Sequence, residues 1–299
     1  MKQRIIAISG PTASGKTDLS IEIAQQLKTE IISFDSRQFY TELNIGVARP
    51  SPAQLSQVKH HFIASTSIHK PYTAISFCID ARKRIDALLE KNECVVLCGG
   101  TGLYLKALLK GLSTLPETQP AIREQVELLW QKKGLPGLLH LIEKRDQQAL
   151  KQVETHNPAR LKRVAELLLS AENKSLQEIY SPKMNPIEHT YQIFNLIPEK
   201  EILYKRIAVR TDAMIASGLL SEVQALIPHK ELPLLKTVGY TELFHYLDGN
   251  CTREEAIDKI KQHTRNYAKR QITWFKNQTE GIVLNGENTT NRVVSFMQN

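Results

Sequence analysis

The sequence is short of the features that mark several whole classes of protein. Its 299 residues hold only four cysteines, Cys78, Cys94, Cys98 and Cys251, and none of them forms a Cys-x-x-Cys pair. Cys94 and Cys98 share the run ECVVLC; along a strand that spacing covers about 13 Å, and a disulfide needs Cα atoms within about 7 Å. All four are expected to be buried thiols of a reducing cytosol. No apolar run approaches the roughly 18 residues of a membrane-spanning helix. MKQRIIAISG opens on a strand and not on a secretory leader, so a cytoplasmic chain with no membrane attachment is expected. No Asn-Lys-x-Asp segment that could read guanine occurs. His60 and His61 have no third ligand at metal spacing and are assigned to structure.

What remains is ordinary for a globular protein: 41% hydrophobic and 23% charged residues, with a formal net charge of +8. The basic excess favours polyanionic ligands, nucleic acid among them. Short apolar runs read as buried strands at 5–9, 31–34, 94–98 and 193–197, with a weaker one at 281–285. Amphipathic helices separate them, for example Leu19, Ile23, Ala24 and Leu27 on one face and Phe77, Ala81, Ile85 and Leu88 on another. This alternation predicts an α/β fold, a P-loop NTPase-like parallel sheet with flanking helices. Residues 113–186 break the rhythm. After the loop TLPETQP come the helical patterns AIREQVELLWQKK, LPGLLHLIEKRD, QQALKQVE and NPARLKRVAELLLSA, and SPKMNP closes the segment. Two domains follow: a core of 1–112 plus 187–299, and a mainly helical insertion over 113–186. A long helical stretch is expected from 201 to about 227. A last strong helix runs from near Thr252 or Glu254 to about Lys276; its second half carries Lys261, Arg265, Lys269, Arg270 and Lys276 with no acid, a face fit to follow a phosphate backbone.

The chemistry centres on GPTASGKT. Gly10, Pro11, Thr12, Ala13, Ser14, Gly15, Lys16 and Thr17 follow a strand and open a helix, the spacing and context of a phosphate-binding loop. Backbone amides of 13–17 would wrap a diphosphate at a helix N-terminus, Lys16 would neutralise it, and Thr17 would hold Mg²⁺. In an ATPase or GTPase a further strand should end in an acid that holds Mg²⁺ through water. Here ECVVLC ends in GGTGLYLKALL. The acid lies elsewhere: Asp35 follows the second strand, and ligands in an open parallel sheet bind outside the carboxyl ends of strands. Asp35 and Thr101 are thus expected on the same edge as the loop, with Asp35 a candidate base.

GPTASGKT at 10–17, DSRQFY at 35–40, IGVARP at 45–50, HHF at 60–62, GGTGLYLKALLKGL at 99–112, NPARLKR at 157–163, RIAVRTDAMIASGLLSEV at 206–223, VGYTEL at 238–243 and TRNYAKRQITWF at 264–275 together resemble the tRNA dimethylallyltransferase (tRNA isopentenyltransferase) family. The resemblance covers nearly the whole chain. It implies transfer of a dimethylallyl group from dimethylallyl diphosphate to N6 of the adenosine 3′ of the anticodon, adenosine 37, with release of diphosphate and with Mg²⁺ as cofactor. It implies Asp35 as base, Thr101 orienting the amine, Lys16 and Arg210 on the diphosphate, and Asp35, Ser36, Arg37 and Gln38 holding the flipped base. It further implies tRNA contacts at Arg123 and at Ala159, Arg160, Leu161, Lys162 and Arg163. Arg265 and Lys269 face tRNA on this reading, while Tyr267, Trp274 and Phe275 are left to the core. A monomer working on the anticodon stem-loop is implied, and the zinc finger of some eukaryotic relatives has no counterpart here. Val47, Arg49 and the 163–169 stretch depart from the family pattern. Rival readings are an isopentenyltransferase acting on free AMP, a small-molecule kinase holding ATP in the loop, and a non-catalytic RNA-binding module. The helical insertion and basic helix disfavour the first, and the complete loop disfavours the last.

Overall fold

A computed structural model describes residues 4–70, 72–113, 115–171, 173–181, 184–286 and 289–298. The chain divides into two compact units, 1–109 with 187–299, and 110–186. The first unit is built on β1 (Arg4–Ser9), α1 (Lys16–Gln26), β2 (Ile31–Ser33), α2 (Pro52–Leu55), β3 (His60–His61), α3 (Ala74–Leu89), β4 (Cys94–Gly99) and α4 (Gly102–Lys110). The second holds α5 (Pro120–Arg145), α6 (Pro158–Ser170) and α7 (Leu176–Ile179). The chain then returns to the first unit with β5 (Thr190–Leu196), α8 (Lys200–Ala216), α9 (Leu219–Ala225), α10 (Tyr240–Leu247), α11 (Arg253–Gln278), β6 (Ile282–Leu284) and α12 (Thr289–Gln298).

The strands form one parallel sheet in the order β3-β2-β4-β1-β5-β6. β1 lies inside it, Ile6 in register with Val96 on one side and Gln192 on the other. Ile5, Ile6, Ala7 and Ile8 are wholly buried. A strand covered on both faces has to be apolar along its length, which is why the run is continuous and not alternating. Leu19, Ile21, Ile23 and Ala24 of α1 pack with Ile6, Ile8, Val96 and Phe194 in one core cluster. Because β4 separates β1 from β2, the chain leaves three adjacent parallel strands at residues 10, 34 and 100 on one sheet edge. Phe39 stacks on Phe77 at 5.3 Å and tilts against Tyr104 at 5.7 Å, which anchors the segment after Asp35 in the core.

Several details differ from the sequence reading. HHF supplies a two-residue edge strand, β3, in which His61 Nε2 meets Glu30 Oε2 at 2.5 Å. The long helical stretch after β5 is cut at Gly218, whose φ of 97° ends α8 and caps α9. Cys251 is only half-buried while the other three thiols are buried, because it sits in the short connection just before the Thr252 cap of α11. QQALKQVE yields no α-helix, only a 3₁₀ turn over Ala149–Lys151.

The second unit has its own core, including Val126, Leu138, Ile142, Leu161, Val164 and Leu168. α5 breaks at Gly134, φ 55°, between the two patterns read from the sequence. α6 starts at an Asn157 cap whose side chain accepts the Arg160 amide at 3.2 Å, with Pro158 in the first turn. Thr114 of TLPETQP, and Pro182 and Lys183 of SPKMNP, lie outside the described residues.

Candidate active site

GPTASGKT is the turn from β1 into α1. Gly15 precedes α1 at φ 93°, a region that suits only a residue without a Cβ. Ala13 also takes a left-handed φ of 63°, at a cost of roughly 1–2 kcal/mol for an L-residue. Left-handed residues spaced this way favour a concave run of amides at a helix N-terminus, the arrangement that binds phosphate. The Pro11 carbonyl accepts the Ser14 amide at 3.2 Å and Lys16 Nζ at 3.4 Å, so the lysine folds back over its own loop. Burial lowers the Lys16 pKa, with Arg210 adding to the effect and Asp35 opposing it. The Ser14 hydroxyl is buried and has no hydrogen-bond partner among the described residues. An incoming phosphate oxygen would supply one.

α8 contributes two arginines one turn apart. Arg206 Nη1 donates to the Ser14 carbonyl at 2.9 Å, and Arg210 Nη2 donates to the Thr12 hydroxyl. Arg210 is not a solvated surface residue: burial pulls its pKa down to about 10 against the pull of Asp35. Asp35 Oδ1 accepts the Arg37 amide at 3.3 Å. Thr101 Oγ1 accepts the Ser36 amide at 3.0 Å and lies 3.2 Å from Ser36 Oγ. Gln38 donates to the carbonyls of Val47 and Ala48, and Arg37 Nη1 to that of Leu234 at 2.5 Å. Arg49 forks onto the carbonyls of Tyr40, Thr41 and Leu43. The arginine of this variant IGVARP segment therefore braces the loop that follows Asp35.

A cleft of about 1130 Å³ opens over residues 12–18 and reaches Asp35, Arg206 and Arg210. A narrower cavity of about 130 Å³ shares Thr12, Asp35, Val47, Ala48, Arg210 and Met214 with it and continues to Tyr267 and Gln271 of α11. The end of β4 is closely enclosed and carries no acid. A Cβ on Gly99 would come within 2.6 Å of the Phe34 ring, and one on Gly100 within 2.6 Å of Gln271 Nε2. The carboxylate of this cavity is Asp35, one strand away.

Thus the structure gathers residues 10–17, 35–38, Thr101 and Arg210 on one edge of the first unit. Lys269 is exposed on α11, where Arg265 lies over the Tyr204 ring at 5.9 Å and Lys261 pairs with Asp212 at 2.6 Å. Tyr267 corrects the expectation of a core aromatic. It is 36% exposed and lines the cavity with Asp35; burial and then Asp35 push its phenol up to about 12. Trp274 packs against Gly102 and Phe275 is fully buried.

In the second unit Arg123, Ala159 and Arg160 are exposed. Lys162 pairs with Glu127 at 2.7 Å beneath the Trp130 ring, and Arg163 bonds Thr118 and Glu166 at 2.6 and 3.0 Å. Leu161 is the second correction: its side chain is wholly buried in that unit's core, so it anchors α6 and offers RNA no side-chain contact.

Arg206, Tyr267 and Gln271 are members of the site that sequence reasoning does not reach. Arg206 has a readable signal, four residues ahead of Arg210 on one helix face. Tyr267 and Gln271 share a similar spacing, yet nothing local shows that this face closes a cavity.

The sequence model of the IPP transferase family matches residues 38–278. The chain is 41% identical over 278 residues to the tRNA dimethylallyltransferase of Flavobacterium johnsoniae, covering 91% of this chain and 90% of the relative. It is 42% identical over 281 residues to that of Chlorobium chlorochromatii, with 91% and 90% covered. The crystal structure of the full-length tRNA isopentenylpyrophosphate transferase of Bacillus halodurans superposes with a TM-score of 0.72 at 29% identity, over 99% of this chain and 95% of that one. A eukaryotic dimethylallyltransferase acting on tRNA shares the fold, with a TM-score of 0.78 at 20% identity over 99% and 79% of the two chains. By sequence and by fold, the chain belongs to the IPP transferase family.

Proposed function

We propose that the protein transfers a dimethylallyl group from dimethylallyl diphosphate to N6 of adenosine 37, 3′ of the anticodon, in tRNA. The carrying observation is the joint placement of Thr12, Arg210 and Asp35 on one cavity. A cationic cradle for an anion and a carboxylate for a proton stand side by side, and β4 ends in Gly99 and Gly100 without the acid that a nucleotide-hydrolysing site requires.

The reaction balances on these groups. The bond from the allylic carbon to the diphosphate oxygen breaks as the bond to N6 forms. The N6 proton passes to the Asp35 carboxylate, which offsets the weak nucleophilicity of an amine conjugated with its ring. Negative charge grows on the leaving diphosphate, where the loop amides, Lys16, Arg210 and the free Ser14 hydroxyl stabilise it. Thr101 orients the amine from the turn it shares with Ser36. Mg²⁺ fits a site of this kind: Thr17 offers a hydroxyl at the start of α1 that would hold the ion against a bound diphosphate. Among the described residues no cluster of three His, Cys, Asp or Glu side chains offers an alternative. When bound, the ion neutralises charge on the diphosphate.

The adenine has to leave its stack to reach Asp35, and an unpaired loop yields a base at lower cost than a duplex does. Arg265 and Lys269 of α11, with Arg123, Arg160, Lys162 and Arg163 of the helical unit, are the cations offered to the tRNA backbone, and one chain suffices as the working unit. Among the described residues no helix is long and apolar enough to cross a membrane, and a tRNA substrate would put the reaction in the cytoplasm.

The decisive assay presents unmodified tRNA, AMP, dimethylallyl diphosphate and ATP in separate combinations and weighs the products by mass spectrometry. tRNA heavier by one dimethylallyl group is expected. Modified AMP alone, or phosphate transfer from ATP, would overturn the proposal.

A further inference from the structure

The turns after β1 and β4 carry the two halves of the site, and the sheet ladder between these strands ends at the Ser9–Gly99 pair. Beyond that point one side chain joins them. Gln271 of α11 is 7% exposed; its Oε1 accepts the Thr12 amide at 2.9 Å, and its Nε2 donates to the Gly100 carbonyl at 2.8 Å. The partners fix the orientation of the amide, since a backbone N–H can only donate and a carbonyl can only accept. The fit is tight, because a Cβ on Gly100 would fall 2.6 Å from Nε2.

The bridge lies in a longer chain of contacts. Thr12 holds Arg210 through its hydroxyl. Gly100 is followed by Thr101, whose hydroxyl accepts the Ser36 amide next to Asp35. The Thr12 amide is spent on Gln271, so the cradle's phosphate donors begin after it. One end of the chain therefore grips the leaving group and the other the attacking amine, with a planar amide setting the distance between them.

We propose that Gln271 is a positioning residue that keeps the diphosphate cradle in register with the Asp35–Thr101 pair, so that the allylic carbon stands in line with N6. The inference rests on the prenyl-transfer reading given above. Both ends of the Gln271 amide are spent on backbone groups, so it acts through the two turns. A misplacement of about 1 Å between reacting groups can cost on the order of 100-fold in rate. Losing the amide would leave the Thr12 N–H and the Gly100 carbonyl to find new partners by shifting.

The test is Gln271→Met, which keeps length and bulk and removes both hydrogen bonds. Single-turnover transfer at saturating dimethylallyl diphosphate and tRNA is measured beside calorimetric binding of pyrophosphate with Mg²⁺ and of tRNA. The expected result is a rate at least tenfold lower with both dissociation constants within threefold of wild type. A rate within twofold of wild type overturns the inference. So does a loss of pyrophosphate affinity as large as the loss of rate, which would mark Gln271 as a scaffold of the loop alone. If Gln271→Met does not fold, Gln271→Glu is measured in the same way and the same results support or overturn the inference, since it keeps the acceptor for Thr12 and sets a carboxylate against the Gly100 carbonyl. Failure of the functional reading is separately visible, because the wild-type protein would then yield no modified tRNA.

Discussion

The Thr101 hydroxyl accepts the backbone N–H of Ser36 at 3.0 Å and lies 3.2 Å from its hydroxyl, so the turn after β4 is tied to the turn after β2 next to Asp35. Thr101→Val keeps the shape and removes the acceptor. We expect kcat to fall at least tenfold, while Thr101→Ser retains most of it; steady-state transfer to tRNA checks both. Equal activity in the valine and serine variants would mean that the hydroxyl neither braces the Asp35 turn nor orients the amine.

Asp35→Asn keeps the side chain's size and takes away the proton acceptor. General-base contributions run to about 10²–10⁴-fold, so turnover should fall by at least 100-fold. Binding of pyrophosphate, for which the proposed cradle lies on the other side of the cavity, should change no more than a few-fold. Rates and calorimetry on the same preparation separate the two effects.

Burial lowers the Lys16 pKa from its ordinary 10.5. Two consequences have opposite signs. Diphosphate prefers the protonated amine, so pyrophosphate affinity should fall as pH rises through the folded-state pKa, below 10.5. The fold itself disfavours the charged form, so the residue's contribution to stability should rise over the same window. Lys16→Arg stays protonated throughout and should flatten the affinity profile, as titration calorimetry from neutral to alkaline pH would show.

Backbone contacts can be counted by salt. If Lys269 neutralises one phosphate in a loop or single strand, Lys269→Ala should lower the slope of log affinity against log salt by roughly 0.7. An unchanged slope would remove this residue from the RNA face.

Leu161 stands among residues proposed to face tRNA yet is wholly buried. Leu161→Ala should destabilise the helical unit by about 2–5 kcal/mol, the usual range for an emptied core leucine. It should do so without altering pyrophosphate binding in the other unit. Denaturant melts and calorimetry would show both.

Local pattern carries much of this into the sequence. IIAIS before GPTASGKT and the cap at Asn157 are decided within a few residues of themselves, and each stands where periodicity and capping chemistry put it. β3 escapes because two histidines have no period to read. Gly218 escapes because one glycine inside a helical pattern is often tolerated, and only the backbone shows that this one is left-handed. Gln271 is the deeper case. Its partners lie 259 and 171 residues away, and a hydrogen bond of that range leaves no trace in composition or spacing. Tyr267 defies its pattern for the same reason: an aromatic on a helix packs inward as a rule, and only the tertiary fold reveals an opening there.

The crowding of Phe34 and Gln271 against Gly99 and Gly100 reaches beyond the present reaction. Phosphate loops are common property of motors and switches that burn fuel, and those machines station an anion at this strand tip to tame a metal-bound water. Here the spot is walled off by an aromatic ring and an amide. An aspartate at Gly99 would meet the Phe34 ring and backbone within 2.6–2.8 Å, so an acid could enter there only if the ends of β2 and β4 moved apart.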